Sequence, residues 1–556
     1  MSIKALGSNA STENLVSHEI KIDGNNLDYR EIKKLTKPKV SISLSHDKDD
    51  AFFRRSIDTL AHLLNNGRKI YGVNTLFGGM ANIEATDPGE LQTQLILSHH
   101  AGMGSPLSAT DVRLAMLIRA NTLTRGASAV RKEVIERYLT LCQLNITPVV
   151  KEYGSIGASG DLIPLSSIAG AALGLSNEFA LNINNRIVGA VDGLQELALP
   201  FIKPQQKEGL ALINGTAMLT AIAANNCLKV TALFNYHLIL NAICCEVMQC
   251  DPSAFNKFIH DHRPHPGQQW TAFQFSNFLK DAKIIRGVHA IEREFYDNEL
   301  IQDRYSIRCI PQFLGAIVED LSAINKTVKI EMNSATDNPL IDDEHGNYFH
   351  GGNFLGQHVA IAMDKMRLSL ALLAKHNEAQ IATLIEPSFS RQLPPSLVLD
   401  EDKGATVGCK PLQILGNSLI PLLEQNANPI TVHFPIHAEQ FNQNINSQGF
   451  SAAQLTTKSI ELYQQHLSCF SLVLIQALHL RARQLGMSVE SAYTANTNSW
   501  LRAISDTIDI DYNTPPINAI NGGKYHYFLD AVANNIDPYL SHGLINIYST
   551  DTELTV

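Results

Sequence analysis

Between Ala217 and about Cys250 the chain carries its most apolar long run. A helix over that run would span roughly 50 Å at 1.5 Å per residue, which is longer than a bilayer requires. Asn225, Asn226, Lys229, Asn235, His237 and Glu246 interrupt it, so it does not read as a membrane span. An apolar helix of this length is explained by burial at the centre of a bundle or in an oligomer interface. Two further helical patterns, from Leu355 to about Leu384 and from Ala452 to about Leu485, are long enough to pack beside it. The expected fold class is therefore mainly α, with a long central helical bundle.

At 556 residues the chain is too long for one simple core, which predicts two or three substructures around a shared centre. A net charge of -10 with no basic stripe argues against a nucleic-acid partner. The eight cysteines include no C-x-x-C pair and mostly sit in apolar helical runs, as reduced residues of a cytosolic protein do. Residues 1–9 lack the apolar core of a signal peptide, so the expected location is cytoplasmic. The sequons at Asn145 and Asn214 would then stay unmodified.

Residues 1–18 are polar and without period, as in a flexible arm. Glu19-Ile-Lys-Ile and Lys39-Val-Ser-Ile-Ser alternate as short strands do. Phe53, Ile57, Leu60 and Leu64 mark a helix that stops at Asn65-Asn66-Gly67. Ser108 to Asp111 forms a capping box that opens the next helix. The expected division is an arm over 1–18, an N-terminal domain over 19–215 and a long-helix bundle over 216–490. A C-terminal helical segment over 491–556 would be punctuated by Asp511-Tyr-Asn-Thr-Pro-Pro-Ile and Asn521-Gly-Gly.

Phosphate-loop, zincin, nucleophile-elbow and dinucleotide signatures are all missing, which argues against nucleotide-dependent chemistry. His260, His262 and His265 crowd a turn rich in proline, but a zinc site wants a fixed scaffold and a fourth ligand. No metal is expected.

The glycines of Gly154-Ser-Ile-Gly-Ala-Ser-Gly-Asp-Leu162 mark a tight loop. A strained Ala158-Ser159-Gly160 unit can also cyclise: the Gly160 nitrogen attacks the Ala158 carbonyl carbon, two waters leave, and a methylidene-imidazolone remains. Gly160 suits the attack because it has no Cβ. Tyr71, in a second glycine-rich loop, reads either as a packing anchor or as a proton carrier whose pKa something lowers. Tyr305 and Arg308 stand three apart in a polar stretch, as a surface pair or as a hold on a substrate carboxylate. Gly351-Gly-Asn353-Phe354 and the run from His437 to Gly449 are amide-rich, like polar groups converging on a ligand.

Seven stretches together carry a resemblance: Tyr71-Gly-Val-Asn-Thr, Gly154 to Leu162, Leu210-Ala-Leu-Ile-Asn-Gly-Thr216, Tyr305-Ser-Ile-Arg-Cys, Asn333-Ser-Ala-Thr-Asp-Asn-Pro-Leu340, Gly351-Gly-Asn-Phe and Ala438-Glu-Gln-Phe-Asn-Gln. In that order the chain resembles the aromatic amino acid ammonia-lyases, the family of phenylalanine, tyrosine and histidine ammonia-lyases and related aminomutases. Its motifs are most like those of the bacterial-type phenylalanine ammonia-lyases. The resemblance implies that the N-terminal domain bears the electrophile, a 4-methylidene-imidazol-5-one formed from Ala158-Ser159-Gly160, with no metal and no nucleotide. It implies Tyr71 as the base for the β-proton, Asn214 orienting the electrophile, Tyr305 assisting from a mobile loop, and Arg308 on the carboxylate with Asn353. Phe354 would pack on the substrate, and Leu210, Gln302, Glu439, Asn442 and Gln443 would complete the site. Helix N-termini pointed at the site would depress the Tyr71 pKa. The product would be a trans-arylacrylate and ammonia, from sites shared between subunits of a homotetramer.

Ser98-His99, followed by His100, falls where the family reads the substrate ring. Phenylalanine enzymes tend to have Phe-Leu there, tyrosine enzymes His-Leu and histidine enzymes Ser-His. The pair points to a polar ring, while Gln443 replaces the glutamate of histidine enzymes. The expected substrate is phenylalanine or tyrosine. The alternatives are histidine, a 2,3-aminomutase reaction, or an inactive helical scaffold. Either of His99 and His100 can also serve only in packing.

Overall fold

Five long helices organise the protein: Ala217–Val247, Ile310–Met332, Gln357–Leu384, Lys410–Asn426 and Gly449–Gln484. The structure is a computed structural model that describes residues 19–35, 40–285, 302–399, 407–433, 435, 437–516, 525–536, 549 and 554. The 1–18 arm, Lys39 and the Asn521-Gly-Gly turn lie outside the described residues. Gln357–Leu384 packs along Gly449–Gln484, which in turn packs on Ala217–Val247, and Lys410–Asn426 covers the first two. The mainly α bundle is the architecture that the three long apolar patterns predict.

Three of the polar interruptions of the Ala217–Val247 helix pair with other parts of the chain, and Lys229 is exposed. Asn225 donates to the Asp111 carboxylate at 2.7 Å, and Asn226 donates to the Ala453 carbonyl at 2.9 Å. Glu246 accepts from the Thr494 backbone and hydroxyl, both at 2.9 Å. Among the described residues this is the one helix long and apolar enough to cross a membrane, and the protein itself buries it. Unpaired, such groups would each cost a few kcal/mol in an apolar interior; paired, they fix the register of neighbouring helices.

The N-terminal part is helices with small sheets between them. Glu19–Ile22 pairs in parallel with Ser41–Leu44, as the alternation predicts. The Asp50–Asn65 helix is capped by Asp49 and ends at Asn66. The Ser108 hydroxyl accepts from the Asp111 amide, and the Ala109–Leu123 helix starts there. One apolar core runs from Ile20 to Ile536. A smaller cluster of Leu60, Leu63, Ile70, Val73, Ala129 and Ile341 underlies the Tyr71 loop. In the C-terminal segment, Ala495–Thr507 and Tyr525–Asn534 are the shorter helical pieces.

Candidate active site

Four helices begin around the Gly154–Leu162 loop. Leu162–Leu173 starts directly after it, Ala217–Val247 after Asn214-Gly215-Thr216, Gln357–Leu384 after Gly356, and Gly449–Gln484 after Ser447-Gln448. Backbone bonds tie the starts together: the Asp161 amide donates to Gly215 at 2.8 Å, and the Ser447 and Gln448 amides donate to Gly157 and Ile156 at 3.0 Å. The unsatisfied N–H groups of helix starts carry positive partial charge, so the region favours anions and electron-rich groups. Gly160 has a positive φ of 69°, and a Cβ there would lie 2.0 Å from the Gly215 carbonyl oxygen. Only glycine allows that approach.

Within the loop, Asn214 Nδ2 donates to the Ser159 carbonyl at 2.9 Å, and Gln443 Nε2 donates to Ser159 Oγ at 3.0 Å. The Asn214 Oδ1 is buried without a partner. Asp161 accepts from the Leu219 amide at 2.7 Å and from the Ser155 hydroxyl at 2.9 Å. Burial nevertheless pushes its carboxyl up to about 7. A charged layer lies beneath. Arg119 is fully buried, donates to the Ala211 and Asn214 carbonyls, and reaches Thr336 Oγ1 at 3.2 Å. Lys207 pairs with Asp337, which also accepts from Ser128. Sequence reasoning missed Arg119, although a lone arginine inside the apolar run from Leu114 to Leu123 was the available signal.

A cavity of about 560 Å³ opens over this loop. Ser159, Asn214, Asn442 and Gln443 line one part of it, and Tyr71, Phe77 and Glu439 another. His99, Leu210 and Phe354 also face it. The Tyr71 hydroxyl accepts from the Gly78 amide at 3.0 Å, and a Cβ on Gly78 would lie 2.5 Å from Glu439 Oε2. The absent side chain lets the Glu439 loop close on the Tyr71 loop. Glu439, Gln440 and Phe441 hold three consecutive positive φ values of 46°, 53° and 64°. A left-handed run of non-glycine residues costs roughly 1–2 kcal/mol per residue, and such strain clusters at functional sites.

Tyr71 departs from expectation. Burial and the nearby Glu439 carboxylate raise its pKa, and the single Gly78 N–H donor does not offset them. The helix starts do converge, but around Ser159 and Asp161 rather than at the phenol.

Besides Ala158 and Gly160, which flank Ser159 in the loop without lining the cavity, five expected site residues stand outside it. The Ser98 hydroxyl turns back onto its own helix, donating to the Gln94 carbonyl at 2.7 Å. Asn353 donates to the Ala335 carbonyl at 3.1 Å and faces a neighbouring depression with Arg125, Lys326 and Lys329. Gln302 is exposed, Tyr305 is 72% exposed, and Arg308 stacks on Tyr305 at 4.6 Å while donating to the Asp303 carbonyl. The Tyr305–Arg308 turn is bound to His376 and Gln380. Those residues lie about twenty positions along the Gln357–Leu384 helix, roughly 30 Å from its start beside the loop. A gap of that size is beyond the reach of the Tyr305 and Arg308 side chains.

His99 and His100 separate cleanly. His99 faces the cavity with Nδ1 donating to the Leu95 carbonyl at 2.8 Å, whereas His100 packs on Phe179 and meets Ser167 and the Glu178 carbonyl. Lys69 and His350 also line the cavity, and sequence reasoning missed both. His350 Nε2 accepts from the Tyr71 amide at 3.4 Å. Among the described residues no cluster of three or more histidines, cysteines or acidic residues gathers to hold a metal. His260 is engaged by the Ala254 carbonyl and Gln268.

A family model described as aromatic amino acid lyase matches residues 27–503. A phenylalanine ammonia-lyase of Nostoc punctiforme is 43% identical over 472 residues, covering 84% of this chain and 82% of that protein. A histidine ammonia-lyase of Geobacillus thermodenitrificans is 34% identical, covering 85% of this chain and 92% of that one. The crystal structure of a tyrosine aminomutase from Streptomyces globisporus superposes with a TM-score of 0.84 at 26% identity, over 94% of this chain and 98% of that one.

Proposed function

Since this chain belongs to the aromatic amino acid lyase family, we propose that it eliminates ammonia non-oxidatively from phenylalanine or tyrosine to give the trans-arylacrylate. It is a carbon–nitrogen lyase. The observation that carries the reading is the single cavity in which Tyr71 faces Ser159, with Asn214 and Gln443 bonded to Ser159 itself.

The residues present fit a methylidene-imidazolone made from Ala158-Ser159-Gly160. Gly160 carries no Cβ beside its nitrogen, and the approach of Gly215 leaves room for none. Asn214 holds the Ser159 carbonyl oxygen, and its unpartnered Oδ1 leaves capacity for one more donor. Gln443 donates to the Ser159 hydroxyl, the oxygen that departs in one of the two waters lost. Once formed, the group supplies an electrophilic carbon that converts the substrate's amine into a departing group.

This chain's own residues do the remaining work. Tyr71 takes the β-proton at its hydroxyl oxygen, where the Gly78 N–H already donates and favours the phenolate. Burial and Glu439 oppose that charge, so positive groups from a neighbouring copy are what would bring the phenol down. His99 presents Nε2 to the ring, because its Nδ1 proton is committed to Leu95. Leu210 and Phe354 exclude water from the apolar part of the cavity.

Tyr305 and Arg308 complete the site from another copy in a homotetramer, with Arg308 forking onto the substrate carboxylate. Exposed apolar residues on long helices support the association: Ile361 and Leu368 on Gln357–Leu384, and Ile414 and Leu422 on Lys410–Asn426. Eight thiols, seven of them buried, support a cytoplasmic enzyme.

The test is a near-ultraviolet assay for arylacrylate with phenylalanine, tyrosine and histidine side by side, with the products also separated for β-amino acid. Arylacrylate from the first two is expected. An intact mass equal to that of the unmodified sequence, with no product from any of the three, sinks the reading. A dominant β-amino acid product makes the enzyme an aminomutase.

A further inference from the structure

The middle of the bundle holds a buried polar cluster that the reaction above does not use. His237, His376, Tyr463, Asn377, Gln380 and Asn241 come from three helices, Ala217–Val247, Gln357–Leu384 and Gly449–Gln484, and all are buried. At one end of the cluster is the Ser306 carbonyl, which accepts from His376 Nε2 at 2.8 Å and from Gln380 Nε2 at 2.9 Å.

The cluster has a definite direction. A carbonyl can only accept, so the His376 proton sits on Nε2 and its Nδ1 is an acceptor. His237 Nε2, at 3.3 Å, must then be the donor to it. That leaves His237 Nδ1 to accept from the Tyr463 hydroxyl at 2.7 Å, with Asn377 Nδ2 facing the Tyr463 oxygen at 3.5 Å. Gln380 is aimed by its second bond, to Asn241 Oδ1 at 2.7 Å. Both histidines must be neutral for the chain to run this way, since protonation would set two donors face to face. Burial keeps them so, holding His376 down at about 4 and His237 well below its ordinary value.

Ser306 lies inside the four-residue helix Tyr305–Arg308. Cys309 alone separates this turn from the 23-residue helix Ile310–Met332, and Ile307 anchors the inner face of the turn in the core, whereas Tyr305 at its start is exposed. The bundle holds the N-terminal end of the turn through the Ser306 carbonyl. His376 and Gln380, four apart, stand on one face of a long rigid helix and both grip the same carbonyl.

We propose that His376 and Gln380 are positioning residues for the Tyr305–Arg308 turn, aimed by the His237–Tyr463 relay, and that they set where Arg308 is presented to substrate. The inference rests on the reading that Arg308 binds the carboxylate in a neighbouring copy's site.

The experiment measures KM and kcat of the assembled enzyme for its aromatic amino acid in His376→Leu, His376→Gln, Gln380→Met and Arg308→Leu, with intact mass and assembly checked for each. His376→Leu is expected to raise KM about tenfold, the upper scale of one lost neutral hydrogen bond, with the loss of two waters unchanged. His376→Gln, which can still donate, returns KM to within about threefold of the parent, and Gln380→Met raises it a few-fold. His376→Leu added to Arg308→Leu changes KM little further, because both act through one group. If Arg308→Leu raises KM but a folded His376→Leu leaves it within about twofold, the inference is overturned while the catalytic reading stands. If Arg308→Leu itself leaves KM unmoved, the reading of Arg308 fails, and this inference with it. Should His376→Leu not fold, Gln380→Met decides: an unchanged KM overturns the inference.

Discussion

Two buried polar regions of this protein are built on opposite plans. Around Ser159 the groups hold capacity in reserve: Asn214 Oδ1 has no partner, Asp161 is pushed up to about 7, and Glu439 to Phe441 sit in strained backbone. In the middle of the bundle the relay from Asn377 through Tyr463, His237 and His376 to Ser306 passes each proton to an acceptor; Gln380 Oε1 beside it is also buried without a partner, but on a regular helix rather than in strained backbone. Burial alone therefore does not mark a reactive site. Spare hydrogen-bonding capacity combined with strain does, whereas a closed relay fixes geometry.

The contrast breaks most sharply at Ser159. Ser159→Ala removes the hydroxyl that must leave as water, and activity should fall roughly 10,000-fold or more, the scale on which a lost covalent catalyst acts. Intact mass should show the variant at the full mass of its own sequence, while Tyr463→Phe in the relay loses two waters as the parent does. Retained turnover in Ser159→Ala would end the proposal of an internal electrophile. Next in size is Tyr71→Phe, which keeps the ring against Phe77 and removes only the hydroxyl. It should lower kcat by roughly 100- to 10,000-fold with the waters still lost. A kcat within a few-fold of the parent would return Tyr71 to the role of packing anchor.

Much of this contrast was legible in the sequence, and the exceptions have physical causes. The long helices announced themselves because apolar period is a local property, and Ser108 with Asp111 marked a start for the same reason. The glycines at 154, 157 and 160 placed the loop. Arg119 and the Lys207–Asp337 pair escaped because buried charges take their meaning from partners distant in sequence; Lys207 and Asp337 are 130 residues apart. Ser98 was misplaced because a serine near a helix end can satisfy itself on its own turn. Tyr71 was expected to be a depressed phenol, yet a single copy surrounds it with burial and a carboxylate. Arg308 and Tyr305 belong to the motif set but lie at the far end of a rigid helix, and no local pattern reports that distance.

The two regions should also answer acid in opposite directions. Asp161 stands at about 7 when folded against an ordinary 3.8, so the folded chain holds its proton longer. Its stabilisation is complete below pH 3.8 and is lost as pH rises to about 7, a loss of roughly 4 kcal/mol. His376 stands at about 4 against 6.5, so the unfolded chain takes the proton first. Its stabilisation is present above pH 6.5 and is lost as pH falls to about 4, roughly 3 kcal/mol. Melting temperature followed from pH 4 to 7.5 should separate the two contributions, against a common background to which His237 and His479 also add on the acid side. Asp161→Asn should expose the acid-side fall, and His376→Gln should expose the opposite slope. Parallel profiles for the two variants would show that the regions do not differ in this way.

The same distinction operates between two adjacent residues, where the expected effect is smallest. His99 gives one nitrogen to Leu95 and turns the other toward the cavity, whereas His100 has both engaged, by Ser167 and by the Glu178 carbonyl. With Nδ1–H donating to the Leu95 carbonyl, His99 Nε2 is the nitrogen left for the substrate, which suits a ring hydroxyl and offers nothing to a bare phenyl ring. His99→Leu should lower kcat/KM for tyrosine relative to phenylalanine by about tenfold, the worth of one hydrogen bond to a buried hydroxyl. His100→Leu should leave that ratio alone and cost about 1 kcal/mol of stability, because it strips a partner from the Glu178 carbonyl. Competition between the two substrates in one reaction reads the ratio directly. If His100→Leu moves the ratio and His99→Leu does not, then the nitrogen with spare capacity is not the one that meets the substrate, and the rule drawn from Ser159 and Ser306 fails at its finest scale.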